Sequence, residues 1–228
     1  MITPGWVKRQ IEALLTQFCA RSGNAAWIGI ADRIHFSRPA GGPARPWRMG
    51  GGFASFAGLD INEGFVWEPE DPAAQPELWL NPAKQGYRPI FERFAQRRLG
   101  ASGLGGLGLD VDHVFPKATA IASTIRYVRM LAIPSGGNRA AGRTVEKHMV
   151  AGAREAPRAK MTRMATYVSI GKAAGFEGWT SLPDSDDASS NMEAVRALFL
   201  HLRGMGLRAD VLTALDMRLT AHRLTSLR

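Results

Sequence analysis

Apolar residues recur at two different periods along this chain, and the change of period marks its elements. Val7, Ile11, Leu14, Leu15 and Phe18 fall at the spacing of one helical face. Thr3 before Pro4 reads as an N-cap and first helical position, and Gly23 as a stop, so a helix is predicted over residues 4–22. Residues 24–86 have a different character. Ala26–Ile30, Ile34–Phe36, Phe65–Trp67 and Leu78–Leu80 read as short strands, with Phe53 and Phe56 following a glycine triplet. Gly, Pro and Asn punctuate the runs, so this region is loop-rich and strand-containing. Its tryptophans are expected in the core, although aromatics in such a region can also stack on bases.

Pro89 starts a short helix through Phe91, Phe94 and Leu99. The glycine-rich stretch 100–108 is either a flexible linker or a close-packed turn that feeds a strand. Leu109–Pro116 then reads as a strand ending at a proline, and Ile125–Ile133 as a second strand. Pro134–Gly137 reads as a turn, and Asn138–Lys147 can open a helix. Beyond residue 150 the pattern is helical. Arg158–Ala174 is one helix ending at Gly175, Asn191 caps another that breaks at Gly204 and Gly206, and Leu207–Leu219 marks a last one. The expected organisation is α+β in three parts: a mixed α/β region over 1–100, a small module over 101–152 and a helical region over 153–228.

Composition narrows the class. With 228 residues, 45% hydrophobic and 21% charged, the chain can bury a real core, and wholesale disorder is excluded. One cysteine, Cys19, rules out an internal disulfide framework and a Cys₄ structural zinc. Cys19 sits in an apolar helical pattern and is expected to be a core thiol. There is no signal-peptide pattern and no apolar run of membrane-spanning length, so the expected compartment is the cytoplasm, with no membrane partner. The net charge of +9 is carried mostly by arginine, which suits phosphate recognition. The charge is also unevenly distributed. Residues 54–82 hold Asp60, Glu63, Glu68, Glu70, Asp71 and Glu77 without a basic residue, whereas Lys84–Arg98 is strongly basic. The acidic run would repel a polyanion and is expected to face away from one.

The strand Leu109-Asp110-Val111-Asp112-His113-Val114-Phe115-Pro116 carries the candidate chemistry. Regular alternation puts Leu109 and Val111 on one face and Asp110 and Asp112 on the other, so His113 points away from Asp112 unless the strand end bends. Asp-His-Val-x-Pro, a strand, then Asn138-Arg139-x-x-Gly142 is similar to the pattern of HNH, or ββα-metal, endonucleases. The resemblance covers residues 110–147, about one sixth of the chain. The chain departs from the family at the central asparagine, where Tyr127–Arg129 stands, and at Ala141, where a lysine is common.

The resemblance implies a ββα-metal module and hydrolysis of phosphodiester bonds in double-stranded DNA. It further implies that Asp112 and Asn138 ligate one Mg²⁺ or Mn²⁺, and that His113 takes a proton from the attacking water. Hard oxygen ligands suit Mg²⁺, and an imidazole titrating near neutrality suits base catalysis. Arg139, Arg143 and Lys117 are candidate phosphate contacts. Asp110 is read as a supporting carboxylate or an additional ligand. His201 and His222 are expected to be structural or exposed. The rival is a catalytically inactive nucleic-acid-binding protein of the same fold, which would bind DNA with strong salt dependence and not cleave it.

Overall fold

The computed structural model describes residues 3–19, 29–31, 51–56, 58–122, 124–152, 170–179, 188–215 and 217. The first helix, α1, spans Gly5–Cys19. Its first carbonyl acceptor is Pro4, which takes hydrogen bonds from the amides of Val7 and Lys8, one residue later than the Thr3 cap reading. Val7, Ile11, Leu14 and Leu15 are buried, as their spacing requires.

Four strands follow: β1 (Ile30–Ala31), β2 (Gly51–Ala54), β3 (Gly64–Pro69) and β4 (Glu77–Leu80). Next come α2 (Tyr87–Phe94), prolonged by a π turn over Ala95–Leu99, then β5 (Leu109–His113), α3 (Lys117–Ala122), β6 (Tyr127–Pro134) and α4 (Ser135–Gly152). A helical turn at 170–174, here α5, precedes α6 (Ala188–Gly204) and a final helical stretch, α7, over 209–215. The chain is therefore mixed α+β. The predicted strands at 26–28 and 34–36, the part of the predicted helix before residue 170, Trp27, Trp47 and His222 lie outside the described residues, as does the side chain of Cys19.

Strands β1, β6, β4, β3 and β2 lie side by side in that order, every neighbouring pair antiparallel. Strand β6 is the pivot. Its first residues pair with β1 and β4, and residues 130–134 pair with β5 in a separate antiparallel ladder. Because side chains alternate, the sheet buries apolar groups on both faces. Phe65, Trp67, Trp79 and Tyr127 form one cluster, so these aromatics are core, while Val66, Leu78 and Leu80 pack on the opposite side with Phe91 and Phe94 of α2.

The same alternation divides β6. Met130 and Ala132 join the α2 side together with Leu109 and Val111 of β5. Leu131 and Ile133 face the other side, against α1, Ala141 of α4 and the C-terminal helices. That cluster runs from Ile11 to Leu215 and so draws on all three regions of the chain.

Helix α4 begins at Ser135, three residues before the sequence pattern suggested. The Gly136–Gly137 pair is not a turn but the first turn of the helix. A Cβ on Gly137 would run into the backbone of Gly175, and one on Gly136 into the Glu177 carboxylate. The glycines let α4 press against the α5 segment, a tertiary demand that imitates turn chemistry. Gly137→Ala is therefore expected to destabilise the fold by about 1–3 kcal/mol, the usual cost of overpacking. Gly142→Ala is the control, since among the described residues its Cβ would meet only Glu146 Oε2, at 3.9 Å. The check is the urea midpoint of each variant; equal midpoints would remove the argument from close approach.

Three of the six acidic residues in the run are matched within the fold. Glu63 pairs with Lys84 at 2.6 Å, Glu68 with Arg98 at 2.9 Å and Glu77 with Arg129 at 3.2 Å. Two of those cations come from the basic stretch that follows it in sequence. Among the described residues no helix is long and apolar enough to cross a membrane.

Candidate functional site

Strand β5 runs in unbroken register with β6: Asp110 lies opposite Ile133, Asp112 opposite Leu131 and His113 opposite Met130. Directly opposed residues share a face. Asp110 and Asp112 therefore project to the side of Leu131 and Ile133, where α4 packs. His113 projects to the side of Val111 and Met130, where α2 packs. The strand does not bulge, so the two neighbours in the Asp-His pair stand on opposite faces.

Helix α4 supplies the partners of Asp110. Ser135 Oγ donates to Asp110 Oδ1 at 2.9 Å, and Asn138 Nδ2 donates to Asp110 Oδ2 at 3.2 Å. The Asn138 amide thus meets Asp110, two residues before Asp112. Because α4 starts at Ser135, Asn138 is inside the helix and does not cap it.

Asp112 has different company. Its Oδ1 accepts the His113 backbone N–H at 2.7 Å, and the His113 Nδ1 lies 3.6 Å from the same oxygen. Its Oδ2 accepts from Lys172 Nζ at 3.2 Å. Lys172 also donates to Glu146 Oε1 at 2.6 Å and to the His113 carbonyl at 3.0 Å. Burial alone would push the Asp112 carboxyl up, but the His113 hydrogen bonds and the Lys172 charge outweigh it and hold the group at about 2. Burial likewise opposes the Lys172 charge, yet Asp112 and Glu146 together keep that ammonium above the usual lysine value. At neutral pH the Asp112 carboxylate and the Lys172 ammonium are therefore both charged.

An open cavity of about 370 Å³ lies beside the cluster, lined among others by Asp112, Pro116, Lys117, Ile121, Glu146 and Lys172. Lys117, at the start of α3, is thus next to Asp112. Arg139 and Arg143 are exposed on α4, and Arg143 Nε is bonded to the Arg139 carbonyl. His113 is 1% exposed and does not line the cavity. Its ring meets the Tyr87 ring edge-on at 4.9 Å, and its buried Nε2 has no hydrogen-bond partner among the described residues. His201 is structural: its Nε2 lies 2.8 Å from the Ala174 carbonyl and its ring against Phe176.

Among the described residues, no three His, Cys, Asp or Glu side chains converge as a metal cage. The oxygens on offer among the described residues are those of Asp110 and Asp112, the Glu146 carboxylate at the cavity and the side-chain carbonyl of Asn138, whose Nδ2 meets Asp110. These are hard donors on one face, so their chemistry fits a Mg²⁺ ion that keeps waters in its shell. The sequence reading did not single out Lys172, Glu146, Ser135 or Tyr87. Lys172 did leave a trace, as a lone cation in the apolar, small-residue run Ile170–Phe176.

No protein-family model, curated protein or solved structure matches this chain.

Proposed function

We propose that the chain is a metal-dependent endonuclease that hydrolyses phosphodiester bonds in double-stranded DNA, with β5, β6 and α4 serving as an HNH-like ββα unit. The observation that carries this reading is the antiparallel pair β5–β6, joined through α3 and leading straight into α4, with Asp110 and Asp112 on the helix-facing side and Asn138 bonded to Asp110. The basic net charge of +9 supports a polyanionic substrate. Asp112 and Asn138 would hold one Mg²⁺ or Mn²⁺, and no structural zinc is called for. When bound, the ion supplies charge stabilisation at the scissile phosphate and the leaving oxygen. Asp110 orients Asn138. Lys117 at the cavity, and Arg139 and Arg143 on the exposed side of α4, contact backbone phosphates. The base role falls to His113 as the resemblance implies; because its ring is enclosed on the α2 side of β5, that role requires the end of β5 to open toward the Asp112 face.

The experiment is incubation of the purified chain with supercoiled plasmid and Mg²⁺ or Mn²⁺, with EDTA and His113→Ala as controls. The expected result is nicking that EDTA abolishes and that His113→Ala lowers by about 10²–10⁴, the usual worth of a positioned base. No cleavage with either metal would end the nuclease reading. Cleavage that survives His113→Ala would remove the base role and leave the metal role standing.

A second reading is favoured by one observation, the enclosure of His113 on the far face of β5. In it, the chain binds nucleic acid without cutting. Steeply salt-dependent DNA binding with no cleavage would select it.

A further inference from the structure

We propose that Lys172 is a positioning residue of the Asp112 centre, and that the α5 segment that carries it belongs to the site although it lies outside β5, β6 and α4. This inference rests on the nuclease reading above and deepens it.

Lysine has three N–H donors and no acceptor. All three protons of Lys172 have partners inside the protein: Asp112 Oδ2, Glu146 Oε1 and the His113 carbonyl, at 3.2, 2.6 and 3.0 Å. The acceptors come from β5 and α4, so one ammonium group ties the strand to the helix. All three side chains line the cavity, but that of Lys172 is 1% exposed while those of Asp112 and Glu146 are 25% and 23% exposed. The carboxylates are thus the more open to solvent and the ammonium the more enclosed. Having no proton to spare, Lys172 does not bind substrate. It decides where Asp112 Oδ2 points, and it holds Glu146 alongside.

The backbone around Lys172 is built for this delivery. Gly171 lies so close to Trp179 that a Cβ there would overlap the indole. Gly175 ends the turn at φ +69 and packs on Pro134, the last residue of β6. Gly137 in the first turn of α4 meets the Gly175 backbone. Together these contacts dock α5 at the point where β6 passes into α4, and Lys172 reaches Asp112 from there.

A residue that orients a metal ligand changes turnover by roughly 10–100-fold when removed. The test is Lys172→Met in the full chain, with plasmid cleavage in Mg²⁺ resolved into kcat and KM. The expected result is kcat lowered 10–100-fold with KM for DNA within about twofold, in a variant that still unfolds cooperatively. A kcat within threefold of the parent would overturn the proposal. So would a loss carried by KM, since that would make Lys172 a DNA contact. If Lys172→Met does not fold, Glu146→Gln removes one charged anchor of the ammonium while keeping an acceptor in place. It is expected to lower kcat about 3–10-fold at unchanged KM, and unaltered turnover would overturn the proposal. An inactive parent chain overturns the nuclease reading and this inference with it. An active parent with an unaffected Lys172→Met overturns the inference alone.

Discussion

Asp112→Asn is expected to lower Mg²⁺-dependent plasmid cleavage by on the order of a thousandfold while leaving the protein folded. A metal ion contributes several kcal/mol of charge stabilisation in the transition state, and each tenfold in rate is about 1.4 kcal/mol. If Asp112 ligates the ion as proposed, its loss should remove most of that. Asparagine keeps the shape and one acceptor, so Lys172 still has Glu146, the His113 carbonyl and an amide oxygen within reach. The expected stability loss is about 1–3 kcal/mol, the cost of weakening one buried polar contact. Cleavage assays at saturating Mg²⁺, alongside a thermal melt, separate the two effects. Activity within tenfold of the parent would take Asp112 out of the metal centre.

The largest effect on stability is expected far from the cavity. Arg129 and Glu77 are buried together at the join of β6 and β4, with side chains 1% and 3% exposed. Arg129 Nη1 lies 3.2 Å from Glu77 Oε1. Trp79 Nε1 donates to Glu77 Oε2 at 2.9 Å, and Gln17 Nε2 of α1 donates to Oε1 at 2.6 Å. Burial pushes the Arg129 guanidinium below its ordinary value, and the Glu77 charge opposes this. Glu77→Ala strands that guanidinium without its counter-charge. Breaking one partner of a buried pair costs about 3–5 kcal/mol. For a chain of this size each kcal/mol moves the midpoint by roughly 2–4 °C, so a drop of about 6–20 °C is expected in a thermal melt. The double substitution Glu77→Leu with Arg129→Met removes both charges and is expected to recover most of that loss. A Glu77→Ala midpoint within 2 °C of the parent would show that the pair is replaceable.

These expectations draw on different depths of the molecule. Helix α1 and strands β3, β4, β5 and β6 were legible from period alone, because burial on one face imposes 3.6 on a helix and 2 on a strand. Alternation also placed Asp110 and Asp112 together and His113 opposite, and β5 keeps that pattern through to His113. The start of α4 was not legible. A Gly-Gly pair reads as a turn wherever local chemistry is the only guide, but here it serves contact with Gly175 and Glu177 some 40 residues on. The Pro89 helix likewise begins earlier, at Tyr87, with the proline still in the first turn where its missing N–H costs nothing.

The Asp-His-Val-x-Pro run and Asn138 stand in the sequence for anyone to read, and so do their residue types, hard oxygens beside an imidazole. Sequence by itself determined the elements that carry them, the face each side chain takes on β5, and the exclusion of a Cys₄ zinc site within the chain. Only the tertiary structure decided which groups meet. Asn138 is paired with Asp110, 28 positions away, and Asp112 with Lys172, 60 positions away. Such pairings follow from strand register and from how closely α4 and α5 can approach. Both are set by packing between segments with no local signal for one another.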